Sequence, residues 1–102
     1  MRSETPVIAG RISQLIANRR GYAIINNLCT LTYYTEDELG RKCDEMMIVF
    51  RHISGVPDGT GYPIKSRKVD DIISEIQDYT VAYFQKIVDR VVDDLGRGIA
   101  SE

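Results

Sequence analysis

The sequence predicts an all-α fold: a bundle of three or four helices with a long C-terminal helix, completed by dimerisation. Three observations carry that expectation. Apolar residues recur at helical spacing from Val69 to Leu95. Thr35-Glu36-Asp37-Glu38 has the form of a capping box in front of an apolar run that stops at Gly55 and Pro57. Thr5-Pro6 has the form of a helix start, because Thr can cap and Pro at the first helical position loses no hydrogen bond.

The first helix is expected over residues 6–20, with Ile8, Ile12, Leu15 and Ile16 on one face. Asn18-Arg19-Arg20-Gly21 ends it, placing cations at the negative end and a glycine for a left-handed exit. In residues 22–34 two signals compete. Ile24, Ile25, Leu28 and Leu31 keep a helical period, whereas Thr30-Leu31-Thr32-Tyr33-Tyr34 has the β-branched and aromatic bias of a strand. Helix is favoured because a lone strand would leave its backbone unpaired. The next helix starts at Glu36 and buries Leu39, Cys43, Met46, Met47, Phe50 and Ile53, with Gly40 a slight weakness in its first turns. Residues 55–65 form a turn-rich loop with three glycines and two prolines.

Ser66 then caps the last helix, which ends at Gly96. From Arg67 to Leu95 it would be about 43 Å long at ~1.5 Å per residue, longer than a globule of this size can cover. Its apolar stripe is wide, with the neighbouring pairs Ile72/Ile73, Tyr83/Phe84, Ile87/Val88 and Val91/Val92. Such a face can pack on its own chain and on a second one. A homodimer is therefore expected, with Tyr79, Tyr83, Phe84, Ile87 and Val91 at the interface.

Length and composition bound the function. At 102 residues the chain is a single domain, residues 1–102, and 43% hydrophobic with 27% charged residues is the mixture of a globular protein. The net charge of -2 supplies no field to draw the molecule to nucleic acid, and no helix-turn-helix can be assembled from residues 35–50. Uncharged runs fall far short of the ~20 apolar residues that span a bilayer, and residues 1–6 lack a secretory apolar segment. Cys29 and Cys43 lack disulfide-framework or zinc spacing, which fits reduced thiols and a cytoplasmic location.

Complete catalytic sets are missing. There is no Gly-x-Ser-x-Gly elbow, neither cysteine has a recognisable base, and no cofactor is called for. His52 is the single histidine, and it stands neither in a Glu-x-x-His pair nor at a zinc spacing from Cys43. Asp58-Gly59-Thr60-Gly61-Tyr62-Pro63 resembles, over six residues, the signature of HD-GYP cyclic-dinucleotide phosphodiesterases. That family also carries a His-His-Glu cluster and a His-Asp metal pair, and the residues before Asp58 are Ile53-Ser54-Gly55-Val56-Pro57. A bimetal hydrolase cannot be built from this ligand set.

Two weaker constellations remain. Arg51, His52, Lys65, Arg67 and Lys68 flank the loop and a helix start, which suits phosphate or carboxylate groups. Asp71, Glu75 and Asp78 share the polar side of the last helix and could hold a divalent metal with a phosphate-bearing substrate. The leading expectation is a non-enzymatic binding or regulatory module that self-associates and takes a protein or a small anionic ligand. The competing one is a metal-dependent nucleotide or phosphate-ester hydrolase.

Overall fold

Residues in which a helical period competes with strand-forming side chains resolve as strands. The computed structural model describes residues 4–51 and 61–101, in the order α1 (Glu4–Asn18), β1 (Gly21–Ile24), β2 (Cys29–Glu36), β3 (Lys42–Phe50), β4 (Gly61–Ile64) and α2 (Val69–Ser101). The strands form one antiparallel sheet in the order β1-β2-β3-β4. The fold is therefore α+β, which overturns the all-α class and the helical bundle.

The helix expected from Glu36 is a β-hairpin, and its supposed capping box is the turn. Asp37 accepts the amides of Leu39 (2.9 Å) and Arg41 (2.8 Å) on Oδ1, and its carbonyl accepts Gly40 N–H at 3.0 Å. Gly40 closes the turn at φ +77°, which accounts for a glycine three residues after an Asp. The same local chemistry serves both structures, since a short acidic side chain satisfies orphan amides at a helix start and in a turn alike. The β1–β2 connection repeats the device, with Asn26 Oδ1 accepting the amides of Leu28 (2.8 Å) and Cys29 (3.0 Å).

Register sorts the strand residues into two faces. Tyr33 and Met46, Leu31 and Ile48, and Cys29 and Phe50 are paired on the inner face, where they are buried with Ala23, Ile25 and Ile64. Both helices cover this face: α1 contributes Ile12 and Leu15, and α2 contributes Ile72, Ile76 and Tyr83. Each such side chain, fully buried, contributes roughly 1.5–3 kcal/mol. Of the residues expected to be buried along a Glu36 helix, Met46 and Phe50 join this core, whereas Leu39 is exposed, Cys43 and Met47 are half-buried on the opposite face, and Ile53 lies outside the described residues.

Both helix boundaries shift. α1 ends at Asn18 because Arg19, not Gly21, takes the left-handed position after it (φ 57°), with Arg19 N–H on the Leu15 carbonyl at 2.9 Å. α2 begins behind Ser66, whose Oγ accepts the amide of Lys68, and runs past Gly96 to Ser101. The segment expected as loop over 55–65 contains β4 in its second half, and its residues before Gly61 lie outside the described ones.

At the free edge of β1, Arg11 donates to the Ile24 carbonyl at 2.9 Å, which removes one acceptor from an otherwise open strand edge. At the other side Arg67 donates to the carbonyls of Ile64, Ser66 and Asp44 at 2.9–3.2 Å and lies over the Tyr33 ring. It thereby ties the end of β4 to β3. No helix among the described residues is long and apolar enough to cross a membrane.

Gly40→Ala should destabilise the domain by about 1 kcal/mol in urea unfolding, because an L-residue at positive φ is strained. Gly10→Ala in α1, where open space surrounds the added methyl, should stabilise by about 0.5–1 kcal/mol. A stabilising Gly40→Ala would count against the positive-φ turn at this position.

A second expectation concerns acid. Asp37 is held below the usual carboxylate range first by the Arg41 amide, and Asp44 first by the Tyr33 hydroxyl and then by Arg19 and Arg67. A carboxylate depressed in the folded state stabilises above its unfolded pKa of 3.8 and loses that contribution as pH falls through its folded value. The urea midpoint should therefore drop below about pH 4, and Asp37→Asn should shallow that drop. An unchanged acid profile in Asp37→Asn would remove Asp37 from the explanation.

Candidate functional site

The apolar stripe of α2 divides into two faces. Ile72, Ile76, Tyr79, Tyr83 and Ile87 face the chain's own core. Tyr83 stacks on Phe50 with ring centroids 4.5 Å apart and donates its hydroxyl to the Arg51 carbonyl at 2.9 Å. Tyr79 stacks on Tyr62 at 5.1 Å and donates to the Pro63 carbonyl at 2.9 Å. Three of the five residues expected at a dimer interface, Tyr79, Tyr83 and Ile87, are thus engaged within the chain. Phe84, whose ring meets that of the neighbouring Tyr83 at 6.4 Å, and Val91 lie outside the core and are exposed.

Those two belong to a separate seam: Val81, Phe84, Val88, Val91 and Leu95, spaced by three and four residues alternately and each 48–70% exposed. At 3.6 residues per turn this seam lies roughly 120° around the helix from the buried face. From Val88 to Arg97 every residue is exposed, so this half of α2 projects from the domain. The radius of gyration, 16.5 Å, exceeds the ~13 Å of a compact chain of this length accordingly.

The polar side of the projecting half is closed on itself. Arg90 pairs with Asp94 and Arg97 with Asp93 and Asp94, while Gln85 donates to Asp89. Lys86, Arg90 and Arg97 balance Asp89, Asp93 and Asp94, so residues 84–97 carry three positive and three negative charges and no net charge.

The cations expected to form an anion site are not gathered by the sheet. Val49 is level with Gly61 and Met46 with Ile64, so Arg51 and Lys65 stand at opposite ends of the β3–β4 pair. That is roughly 20 Å at ~3.3 Å per residue. Arg67 is spent on carbonyls and the Tyr33 ring, Lys65 and Lys68 point into solvent, and His52 lies outside the described residues.

The acidic trio is likewise dispersed in role. Glu75 caps the loop before α2, accepting the amides of Lys65 (3.0 Å) and Ser66 (2.9 Å) on its two oxygens. Asp71 and Asp78 are exposed. Among the described residues no group of three His, Cys, Asp or Glu side chains could hold a metal ion. Burial pushes both thiols up, opposed at Cys29 by the Asn26 hydrogen bond and reinforced at Cys43 by Glu45, Asp37, Asp44 and Glu36. Both sulfurs are therefore thiols at neutral pH and poor nucleophiles.

One surface was not foreseen. The outer face of the sheet presents Tyr22, Ile24, Tyr34, Met47 and Val49, and none of the described elements packs on it. Near the β2–β3 turn it deepens into a groove of about 540 Å³, floored by Tyr34, Cys43, Met47 and Val49 and edged by Leu39, which is 76% exposed. The strand bias of residues 30–34 was the available signal. Once those residues are a strand, alternation assigns Tyr34 to the face opposite Tyr33.

No family model, curated protein or solved structure matches the chain.

Proposed function

We propose that the chain is a cytoplasmic, non-enzymatic association module that pairs with a second copy through the projecting half of α2. The carrying observation is the exposed three-four seam on a helix face that the chain's own core does not use. A three-four repeat is self-complementary, because the side chains of one helix fit between those of an identical helix.

Two further features support a like partner. The seam, with Val92 beside it, offers on the order of 600 Å² per chain, approaching the ~800 Å² each partner gives to an ordinary stable interface and at the upper end of the roughly 300–600 Å² of a monomer's largest apolar patch. Charge balance over residues 84–97 means that two copies meet without repulsion. The two reduced thiols support the cytoplasmic placement. The anionic-ligand reading gains nothing from Arg51 and Arg67 as placed, and the hydrolase reading nothing from Glu75.

Light scattering coupled to size exclusion should give twice the 11.5 kDa chain mass. Val88→Asp with Val91→Asp should raise the dimer dissociation constant at least about 100-fold, or about 2.7 kcal/mol, while leaving the circular dichroism spectrum intact, since both positions are exposed. A wild-type chain that stays monomeric as concentration rises, or a double variant that stays dimeric, overturns the proposal.

A further inference from the structure

An antiparallel sheet with one face in water normally alternates apolar-in and polar-out residues. Here the outer rows run Tyr22-Thr32-Met47-Pro63 and Ile24-Thr30-Val49-Gly61, which is the composition of a face meant to be covered. At its end near the β2–β3 turn, the groove floored by Tyr34, Met47 and Val49 has a predominantly acidic rim. Glu36, Asp37, Glu38 and Glu45 line it against Arg41 alone, four negative to one positive, and Arg41 is itself held by Asp37 at 2.8 Å.

From this pairing of an apolar floor with an acidic rim we infer that the groove docks a cationic amphipathic segment of another protein, apolar residues on the floor and Lys or Arg on the rim. Charge selects this occupant. A second copy would bring another four carboxylates to the first, whereas the α2 seam has no such conflict. An anionic lipid surface is repelled for the same reason. A segment carrying Lys and Arg finds Glu38 and Glu45 exposed and unpaired by any described ion pair, and Met47 supplies a floor that adapts to different apolar side chains. The groove lies on the sheet and the seam on the far half of α2, so the two surfaces are independent.

The test uses a fluorescein-labelled peptide of two Leu-Lys-Lys-Leu-Leu-Lys-Leu blocks and its twin with Glu in place of Lys. Anisotropy reads binding, and Cys43, half-buried in the groove, reads location through its alkylation by N-ethylmaleimide at alkaline pH. Cys29, 2% exposed, stays silent. The Lys peptide should bind and slow Cys43 alkylation, and the Glu twin should do neither. Glu38→Lys with Glu45→Lys, both exposed, should weaken binding at least about tenfold, or about 1.4 kcal/mol, and abolish the protection. Val88→Asp with Val91→Asp should change neither readout, which separates this inference from dimerisation. Absence of binding, equal binding of the Glu twin, binding without Cys43 protection, or binding that survives the double charge reversal overturns it.

Discussion

Tyr83 stacked on Phe50 fixes how α2 sits on the sheet, and much else follows from that contact. The ring is fully buried, its plane lies 13° from that of Phe50, and its hydroxyl reaches the Arg51 carbonyl at the end of β3. A helix pinned in this way has one rotation about its axis. With Tyr83 inward, Ile72, Ile76 and Ile87 turn toward the core, and Phe84, one residue on, is thrown roughly 100° away. The placement of the outward seam is thus a consequence of the inward one. The same contact lies near the last point at which α2 touches the domain, so everything beyond Ile87 leaves the core carrying its apolar residues with it.

The two uncovered surfaces differ in electrostatics more than in apolar content. The seam is neutral because its charged residues are matched within one helix by pairs three and four residues apart, an arrangement that needs no partner to satisfy it. The groove is acidic because the β2–β3 turn is. Asp37 must be there to hold the amides of Leu39 and Arg41, and Glu36, Glu38 and Glu45 come with the strand ends around it. A local requirement of the turn therefore contributes to the character of a surface several residues away. Charge of this kind selects partners and sets encounter rates more than it adds affinity.

Much of the molecule was legible in the chain, and what was legible is local. Helix periodicity identified α1 and α2, and Ser66 marked the start of the latter, since caps and apolar faces depend on residues within a few positions of each other. The strands were not legible, for a reason visible in β3. Met46-Met47-Ile48-Val49-Phe50 is apolar without a break, because the sheet is apolar on both faces, and the alternation that marks a strand is erased. Leu39, Cys43, Met46 and Phe50 then match a helical period by coincidence. The strand-forming residues of β2 were recognised, yet a strand needs partners, and β1, β3 and β4 could be seen as partners only after they too were strands.

By itself the sequence determined two helices, the second with more apolar surface than one small domain can cover. These follow from residue type and spacing along the chain. Tertiary structure alone decided that β1, β2, β3 and β4 form a sheet, that Arg51 and Lys65 stand at opposite ends of its β3–β4 pair, that Glu75 caps a loop, and which half of α2's stripe faces outward. Each of those depends on hydrogen bonds and contacts between residues far apart in sequence, which compete with local preference and, in a sheet buried on one face and apolar on both, prevail over it.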